Sequence, residues 1–404
     1  MRGGTKAHGE GLYRISLGSD GVPAAEPVAS SGESTAISLL RSDVPEAITL
    51  SSEPDSDDAY FRWWLSRHNV RHEVVLRHTA TGLTRRSTET QTPDSYPRYY
   101  WWYGDLDGAP GPNGAYTWEL TVTPLNGIGE PFRTSGAFTL SRTGTPHDFN
   151  DDGSPDILAR DTAGRLWRED THYTNYKLKP LRRTLVGGGW QVYDRIEATG
   201  DLAGSAVGDL LARDKAGALW FYRGKGDGGF TDRARIGTGW GAYDKITGGS
   251  DLTGDGRVDV LATDRSGGLW LYPATGNVNA PLGDRKKIGG GWAIYNQITA
   301  TGNLAGAPAG DLVARDAAGV LWLYLGKGDG TFAPRTKVDD GGWNKYTQLI
   351  AVGPLHVGRT NALLAIGLAG VTSHEATGSW RYPLSYRSSE PLFAGEIATF
   401  NDYS

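Results

Sequence analysis

The sequence contains no cysteine, and this absence excludes disulfide bonds and thiolate chemistry. It also lacks any run of eighteen apolar residues, so no membrane span is expected. The formal net charge is only −5, with 41 basic and 46 acidic residues. A balance of this kind argues against a broad surface for nucleic acid or for an anionic membrane.

Motifs of common catalytic sites are absent as well. There is no Gly-x-Ser-x-Gly nucleophile elbow, no His-Glu-x-x-His zinc motif and no Gly-x-x-x-x-Gly-Lys-Ser/Thr phosphate loop. The sequence therefore predicts a protein that is not an enzyme. An extracellular hydrolase or lyase, with its site at the centre of a ring of repeats, is the least favoured alternative.

Glycine and tryptophan are abundant, with 58 and 14 of the 404 residues, and this favours a β-rich protein with many tight turns. One motif recurs four times: an aspartate, a short apolar strand, Asp-x-x-Gly and then Leu-Trp. The copies begin at Asp156, Asp209, Asp259 and Asp311. Their tryptophans, spaced 53, 50 and 52 residues apart, are Trp167, Trp220, Trp270 and Trp322.

A second marker, Gly-Trp-x-x-Tyr, lies between these copies, and a fifth, degenerate unit follows the fourth. The tryptophans of this marker are Trp190, Trp240, Trp292 and Trp343. Each unit is predicted to form four short strands, which in the third unit are Tyr243–Thr247, Val258–Thr263, Gly268–Tyr272 and about Lys286–Gly289. Four strands in about fifty residues is the size of one propeller blade. Residues 143–404 are therefore predicted to form a β-propeller of five blades in an all-β protein.

Closure of such a ring needs one further strand, because the first unit lacks a preceding Gly-Trp-x-x-Tyr element. The tail from Pro391 to Phe400 is the predicted source of that strand. Truncation after Tyr386 is accordingly expected to lower the melting temperature.

The upstream residues have a different pattern. Candidate strands at 60–65, 73–77 and 116–122 are separated by Pro, Asp and Gly, which predicts an immunoglobulin-like β-sandwich over residues 45–142. Residues 1–44 are predicted to be a linker or the remnant of an upstream domain. The amino terminus lacks the apolar core of a signal peptide, and we expect a secreted or surface-exposed protein whose signal has been removed or lies further upstream.

The repeats resemble the FG-GAP and VCBS repeats of integrin-type and secreted bacterial propellers. The segments that carry this resemblance are Asp148–Asp156, Asp251–Asp259, Gly224–Phe230 and Gly326–Phe332. The fifty-residue period of the Gly-Trp-x-x-Tyr element is similar to that of the tachylectin type of five-bladed lectin. The segment Asp107–Trp118 resembles the immunoglobulin-like module named after the flagellar hook-capping protein. This combination resembles secreted actinobacterial proteins and implies an extracellular location.

Two of the Asp-rich loops have oxygen donors at alternate positions, as a Ca²⁺ site requires. The predicted ligands in the first loop are Asp148, Asn150, Asp152, Ser154 through its carbonyl, and Asp156. Those in the second loop are Asp251, Thr253, Asp255, Arg257 through its carbonyl, and Asp259. A strand follows each loop and no bidentate Glu closes it, so the sites are not EF-hands and weak, structural binding is expected. The alternative is that these residues form Asx-turns at a strand entry.

The recurring tryptophans allow two functional hypotheses. Those of the Leu-Trp motif are expected in the core between blades, and those of the Gly-Trp motif are expected to be more accessible. The favoured prediction is a non-catalytic extracellular module that presents one face of a calcium-stabilised propeller to a protein partner. The alternative is lectin-like binding of a glycan at the blade interfaces.

Overall fold

The computed structural model describes residues 1–5, 9–30, 32, 34–50, 59–90, 97–142, 144–174, 177–204, 206–355, 360–387, 392 and 399–404. Within them the chain is almost entirely β-strand and divides into two compact units, Met1–Arg142 and Thr143–Ser404. Across these ranges, no helix has the length and apolar character needed to cross a membrane.

The first unit is built from short strands. They are Arg2–Thr5 (β1), Gly9–Leu17 (β2), Pro23–Ser30 (β3), Leu39–Asp43 (β4), Ala47–Thr49 (β5), Tyr60–Leu65 (β6), Val70–His78 (β7), Thr84–Thr90 (β8), Arg98–Trp101 (β9), Asp105–Leu106 (β10), Ala109–Pro110 (β11), Gly114–Pro124 (β12) and Phe132–Ser141 (β13). The sheets have the orders β5-β13-β12-β7-β8, β4-β6-β9, β1-β2-β3 and β10-β11. The strands of the first unit pair antiparallel, except that β5 pairs parallel with β13.

One hydrophobic core joins the five-stranded sheet to the β4-β6-β9 sheet. Phe61 and Trp63 of β6 lie in this core together with Leu76, Trp118 and Phe138 of the larger sheet. Burial alternates along β6 and β7 because successive side chains of a strand point to opposite faces. The strands predicted at 60–65, 73–77 and 116–122 lie within β6, β7 and β12.

Residues 1–44, predicted to be a linker or the remnant of an upstream domain, contain four strands in their described part. β1, β2 and β3 pair as antiparallel hairpins, and β4 pairs with β6. Glu10 of β2 forms a buried ion pair with Arg67. β3 is exposed along its whole length, so its Ala, Pro and Glu residues belong to an edge strand with little buried surface. That low burial explains why the composition suggested a linker.

The second unit is a repeat of four-stranded sheets. Its strands are Ile157–Asp161 (β14), Leu166–Thr174 (β15), Lys177–Gly187 (β16), Tyr193–Gly200 (β17), Asp209–Asp214 (β18), Leu219–Tyr222 (β19), Ala234–Gly237 (β20), Tyr243–Ser250 (β21), Asp259–Asp264 (β22), Leu269–Tyr272 (β23), Lys286–Gly289 (β24), Tyr295–Gly302 (β25), Asp311–Asp316 (β26), Leu321–Tyr324 (β27), Thr336–Lys337 (β28), Tyr346–Pro354 (β29), Asn361–Gly367 (β30), Gly370–Ala376 (β31), Leu384–Arg387 (β32) and Phe400–Tyr403 (β33). One-turn 3-10 helices precede four of them, at Trp190–Val192, Trp240–Ala242, Trp292–Ile294 and Trp343–Lys345.

Among the described residues these strands form five sheets of four strands. In order along the chain, sheet one is β33-β14-β15-β16, sheet two β17-β18-β19-β20, sheet three β21-β22-β23-β24, sheet four β25-β26-β27-β28 and sheet five β29-β30-β31-β32. The first strand of each order is called the inner strand here, because inner strands of consecutive sheets contact one another. The repeated four-stranded sheets are consistent with a β-propeller.

Each sheet of the second unit buries both of its faces. Leu211 and Phe221 of sheet two, for example, pack against Trp240 of sheet three. Equivalent clusters join sheets one and two, three and four, and four and five. A fifth cluster, which includes Ile157 and Leu364, joins sheet five back to sheet one.

Sheet one obtains its inner strand from the end of the chain. β33 pairs antiparallel with β14, and the N–H of Ser404 donates to the carbonyl of Leu158 at 2.8 Å. The strand thus begins at Phe400, the last residue of the segment predicted to close the ring. Residues 391 and 393–398 of that segment lie outside the described residues.

Side chains also join the inner strands in a continuous circuit around the second unit. In each link a side chain of one inner strand accepts a backbone N–H from the inner strand of the next sheet. The pairs are Glu197 with Gly248 (3.0 Å), Thr247 with Ala300 (3.0 Å), Gln297 with Leu349 (3.2 Å), Gln348 with Tyr403 (3.0 Å) and Ser404 with Ala198. Because a sheet edge otherwise exposes unpaired backbone groups, each link satisfies one backbone N–H at the inner edge of a sheet.

Candidate ligand-binding site

The aspartates that open the repeated motif hold loops in place. In Asp209 one carboxylate oxygen accepts the N–H groups of Leu202 and Ala203, and the other accepts that of Gly224. Asp259 and Asp311 make the same three contacts with the equivalent loop positions. These carboxylates are buried and fully used by the backbone, so they are structural.

The Ala-Arg-Asp part of the motif holds neighbouring sheets together. Nη1 of Arg315 donates to the carbonyls of Trp343 (3.0 Å) and Tyr346 (2.6 Å) at the entry of the next sheet. Arg160 and Arg213 make the equivalent contacts. These arginines therefore have structural roles, and they are not available for a ligand.

The tryptophans of the Leu-Trp motif in sheets two to four pack against the core clusters between sheets, as predicted. The relative exposure of the two sets of tryptophans, however, is the reverse of the one predicted. Those of the Gly-Trp motif are buried, with 6–7% of their surface exposed, and they are Trp190, Trp240, Trp292 and Trp343. A glycine with positive φ, such as Gly189 at 89°, starts the 3-10 turn that directs the indole into the interface. Those of the Leu-Trp motif in sheets one to four are only partly buried, because they lie on the outer half of each sheet.

An exposed arginine stacks on the partly buried tryptophan in three consecutive sheets. Each forms an "Arg–Trp–Tyr cluster" with two tyrosines, one from the inner strand and one from the third strand. The members are Arg233, Trp220, Tyr193 and Tyr222 in sheet two, Arg285, Trp270, Tyr243 and Tyr272 in sheet three, and Arg335, Trp322, Tyr295 and Tyr324 in sheet four.

The geometry of the three clusters is nearly identical. The guanidinium carbon lies 4.1, 4.4 and 4.0 Å from the centre of the indole in sheets two, three and four. The two tyrosine hydroxyls are 2.6 Å apart in every case, and the arginine donates to the hydroxyl of the inner-strand tyrosine. Each cluster therefore presents an apolar ring edge beside an oriented hydrogen-bond donor.

The surroundings of the cluster tyrosines and arginines shift their pKa values. Burial, followed by the hydrogen bond between the two hydroxyls, raises the pKa of Tyr222, Tyr272 and Tyr324 above the ordinary value. The hydrogen bond to the tyrosine hydroxyl is the main cause that raises the pKa of Arg233. The indole N–H of each tryptophan donates to an aspartate of the preceding strand, at 2.9, 2.7 and 2.9 Å.

Sheet five carries different residues at the equivalent positions. By strand register, Thr372 replaces the tryptophan, His374 the third-strand tyrosine and Tyr386 the arginine. A pocket of about 220 Å³ lies there, next to Trp343. Burial, and then the charge of Lys345, lowers the pKa of His374 to about 4, so this histidine is neutral at physiological pH.

Sheet one carries a third variant of the cluster. Trp167 is retained, but Glu169 replaces the third-strand tyrosine and Phe400 the inner-strand tyrosine. Arg183 stands opposite Glu169, and the two form an ion pair at 2.7 Å. The guanidinium is therefore neutralised within the sheet.

The first predicted calcium loop is a buried cluster of acidic groups. Asp148, Asp152, Ser154 and Asp156 are all buried. Burial, and then the neighbouring charge of Asp152, raises the pKa of Asp148 to about 8 and that of Asp156 well above its ordinary range. One oxygen of Asp156, Oδ1, is buried without a hydrogen-bond partner in the described part of the chain.

Other contacts in the first loop compete with a cation. Asp148 accepts the N–H groups of Asp152 and Gly153, and Asn150 accepts that of Asp152. The guanidinium of Arg168 lies 3.7 Å from Asp156. Over the described ranges, no three acidic or histidine side chains are arranged as a metal-binding group. The loop supplies oxygen donors of the right type, and calcium binding there stays a prediction.

The second predicted loop is more exposed and uses its donors locally. Asp251 accepts the N–H groups of Gly254 (2.7 Å) and Gly256 (2.8 Å), and Asp255 accepts that of Arg257 (3.0 Å). Thr253 donates its own backbone N–H to Asp259, whose contacts match those of Asp209 in a loop not expected to bind metal. These contacts form Asx-turns, the stated alternative to a metal site, and calcium binding at this loop also stays a prediction.

The inner strands enclose a polar channel of about 290 Å³. Its walls include Glu197, Thr247, Gln297 and Gln348, which are the side chains that cap neighbouring strand edges. Burial raises the pKa of Glu197 to about 7, although the hydrogen bond from Gly248 opposes this shift. These four side chains have structural roles, and the channel walls also contain charged residues such as Arg195, Lys245 and Asp402.

Comparisons with known proteins identify no family. No protein-family model and no curated protein matches the chain. Among solved structures, a lectin of Agrocybe aegerita that recognises non-reducing terminal N-acetylglucosamine is 18% identical, with a TM-score of 0.36, covering 84% of this chain and 86% of that one. The BP39L lectin of Burkholderia pseudomallei is 12% identical, with a TM-score of 0.39 and coverages of 86% and 98%. AofleA of Arthrobotrys oligospora is 10% identical, with a TM-score of 0.33 and coverages of 90% and 94%. These values are too low for a ligand to be transferred to this chain.

The arginines of the clusters were not singled out from the sequence. A periodic signal for them exists, since Arg-Ala-Arg-Ile, Arg-Lys-Lys-Ile and Arg-Thr-Lys-Val recur at Arg233, Arg285 and Arg335. The predicted calcium ligands lie in two separate loops on sheets one and three, away from these arginines in the sequence. The arginine stacking itself depends on the register of the fourth strand, which the sequence pattern does not show.

Proposed function

We propose that this protein is a non-catalytic, carbohydrate-binding β-propeller of five blades, and that the three Arg–Trp–Tyr clusters are its equivalent ligand sites. The five sheets would be the blades, the first unit an immunoglobulin-like sandwich, and the location extracellular. The supporting observation for the ring is that the fifth hydrophobic cluster and the circuit of side-chain caps both return to sheet one.

The observation that carries the function is the repetition of one exposed arginine–indole pair with the same geometry in three sheets. The other recurring polar residues described above have structural partners, whereas the cluster arginines are exposed. Aromatic rings next to planar hydrogen-bond donors suit the apolar faces and hydroxyls of sugar rings. Three sites at fixed spacing on a rigid ring also suit a ligand with repeated units, because linked sites raise avidity.

A glycan array with three variants tests this proposal. Trp270→Ala should weaken binding, and the triple variant Trp220→Ala, Trp270→Ala, Trp322→Ala should weaken apparent affinity by about 100-fold or more, since avidity is lost. Trp380→Ala is the matched control, because Trp380 is 49% exposed and lies outside the clusters. Thermal unfolding of each variant checks that the fold is retained.

Two results would contradict the proposal. Binding of the folded triple variant at the wild-type level would place any glycan site elsewhere. Failure of wild-type protein to bind any glycan, together with capture of a protein from culture supernatant, would support the protein-binding module instead.

A further inference from the structure

The guanidinium groups of the three clusters are held by an indole ring and a tyrosine hydroxyl. Asp214 and Asp316, which accept the indole N–H groups, interact with Arg233 and Arg335 only by charge at longer range. Arg233 stacks on Trp220 and donates to Tyr193 at 2.6 Å, and Arg285 and Arg335 are held in the same way. In the part of the chain that the structure describes, no carboxylate lies within ion-pair distance of these three arginines. A guanidinium has five N–H donors in a rigid fork, so most of them remain for a ligand.

A second basic residue accompanies each of these arginines on the outermost strand. Arg235, Lys287 and Lys337 stand opposite the cluster tryptophans in the strand register. The ammonium group of Lys287 lies 5.7 Å from the indole of Trp270. In sheet four the ammonium group of Lys337 forms an ion pair with Asp340 at 2.8 Å, so among the described residues the second basic group stays without an ion pair only in sheets two and three. The whole chain carries a net charge of −5.

Sheet one provides an internal contrast. There Glu169 pairs with the equivalent arginine, and Leu185 stands opposite the tryptophan where the other sheets have a basic residue. Charged outer strands alone could serve to prevent edge-to-edge aggregation. Lysines in any orientation would prevent such aggregation, so this role does not require a guanidinium held by an indole and a hydroxyl.

We infer that the ligand of the three clusters is an acidic carbohydrate, whose carboxylate or sulfate groups are bound by Arg233, Arg285 and Arg335. This inference rests on the proposed function and names the ligand class of the same sites. A planar guanidinium with two free donors matches a carboxylate or sulfate in a bidentate geometry, and the edge of the neighbouring indole supplies an apolar contact for the sugar ring. Arg235 and Lys287 add attraction without fixed geometry, whereas Lys337 is already paired with Asp340.

The test compares acidic and neutral forms of one polymer. Wild-type protein should bind polygalacturonate or dextran sulfate at least about tenfold more tightly than methyl-esterified polygalacturonate or dextran, respectively, and this preference should fall steeply between 0.05 and 0.5 M NaCl. Tighter binding of polygalacturonate would indicate a carboxylate ligand, and tighter binding of dextran sulfate would indicate a sulfate ligand. The triple variant Arg233→Gln, Arg285→Gln, Arg335→Gln should lose the preference.

Two further variants test whether binding depends on the fixed geometry of the guanidinium groups or only on their positive charge. The triple variant Arg233→Lys, Arg285→Lys, Arg335→Lys keeps the positive charge but lacks the planar guanidinium with its paired donors. It should retain only a small part of the preference for acidic polymers. Arg183→Gln in sheet one is the matched control and should leave binding unchanged, because Glu169 already pairs with that guanidinium. All of the cluster arginines are exposed, so the variants should fold.

The outcomes distinguish this inference from the proposed function. Equal binding of acidic and neutral glycans that survives the Arg→Gln changes would overturn the inference and leave carbohydrate binding intact. Equal, arginine-dependent binding of single-stranded DNA and acidic glycans would indicate a general polyanion surface and also overturn it. Binding to no polymer and to no glycan on an array would reject both.

Discussion

The carboxylate of Asp209 accepts three backbone N–H groups and is fully used by its own loop, whereas Arg233 has one hydroxyl partner and faces solvent. Both residues recur with the same period, so periodicity alone does not separate structural from functional residues. The separation follows from counting the hydrogen-bond partners of each group. By that criterion the aspartates belong to the scaffold and the outer arginines to the candidate site.

Glu197 gives a pH-dependent prediction at the same scale. Burial raises its pKa to about 7 in the folded protein from 4.5 in the unfolded chain, so the folded state keeps its proton to higher pH. The free energy of unfolding should therefore fall, by on the order of 2–3 kcal/mol, as the pH rises from about 4.5 to 7. Glu197→Gln keeps an acceptor for Gly248 but does not titrate, and it should lack this decrease.

The measurement is chemical denaturation of both proteins between pH 4.5 and 8. Other buried carboxylates titrate in both proteins, so the difference between the two curves isolates Glu197. That difference should grow up to about pH 7 and then stay constant. Parallel curves over the whole range would show that Glu197 does not have a raised pKa.

Strand β33 is the element that closes the second unit. Without Phe400–Ser404, β14 would lose one of its two partner strands, and the caps at Gln348 and Ala198 would be broken. Deletion of these five residues should lower the melting temperature by about 10 °C or more, or abolish cooperative unfolding. Calorimetry measures the effect, and Leu368→Ser, at a side chain that is 81% exposed, serves as the control. An unchanged transition would mean that ring closure does not depend on this strand.

The first Asp-rich loop gives a prediction on calcium. If Ca²⁺ binds there with the weak affinity of extracellular modules, 10 mM CaCl₂ should stabilise the protein by about 2 kcal/mol. Asp148→Asn together with Asp152→Asn should remove this stabilisation, whereas Asp251→Asn tests the second loop separately. The melting temperatures of wild-type protein and variants, measured in CaCl₂ and in EDTA, show both the stabilisation and its loss. Identical melting of wild-type protein in the two conditions would reject calcium binding.

At the scale of the whole molecule, each of the two units has its own hydrophobic core. We therefore expect residues 143–404, expressed alone, to unfold cooperatively and to keep glycan binding, because all three clusters lie in that unit. The melting temperature should stay within about 5 °C of the corresponding transition in the full chain. Aggregation of the isolated unit, or loss of its binding, would show that it depends on residues 1–142.

The repeat made the second unit predictable because each sheet has the same local pattern. The strands expected in the third unit match Tyr243–Ser250, Asp259–Asp264, Leu269–Tyr272 and Lys286–Gly289 to within a few residues. The exposure of the tryptophans was predicted wrongly, since it depends on how far from the inner strand each indole lies. The strands of residues 1–44 bury little apolar surface, and for that reason the composition there suggested a linker or a domain remnant.

The sequence by itself determined the strands, the four-stranded repeats and the period at which charged and aromatic residues recur, because these depend on local alternation and turn residues. Only the tertiary structure decided which of those residues are hydrogen-bonded to other parts of the fold and which remain exposed to solvent. Asp259 and Arg315 find backbone partners on other segments, while Arg285 stacks on an indole fifteen positions earlier and remains exposed. Such pairings depend on strand register and on contacts between sheets, which a linear pattern does not specify.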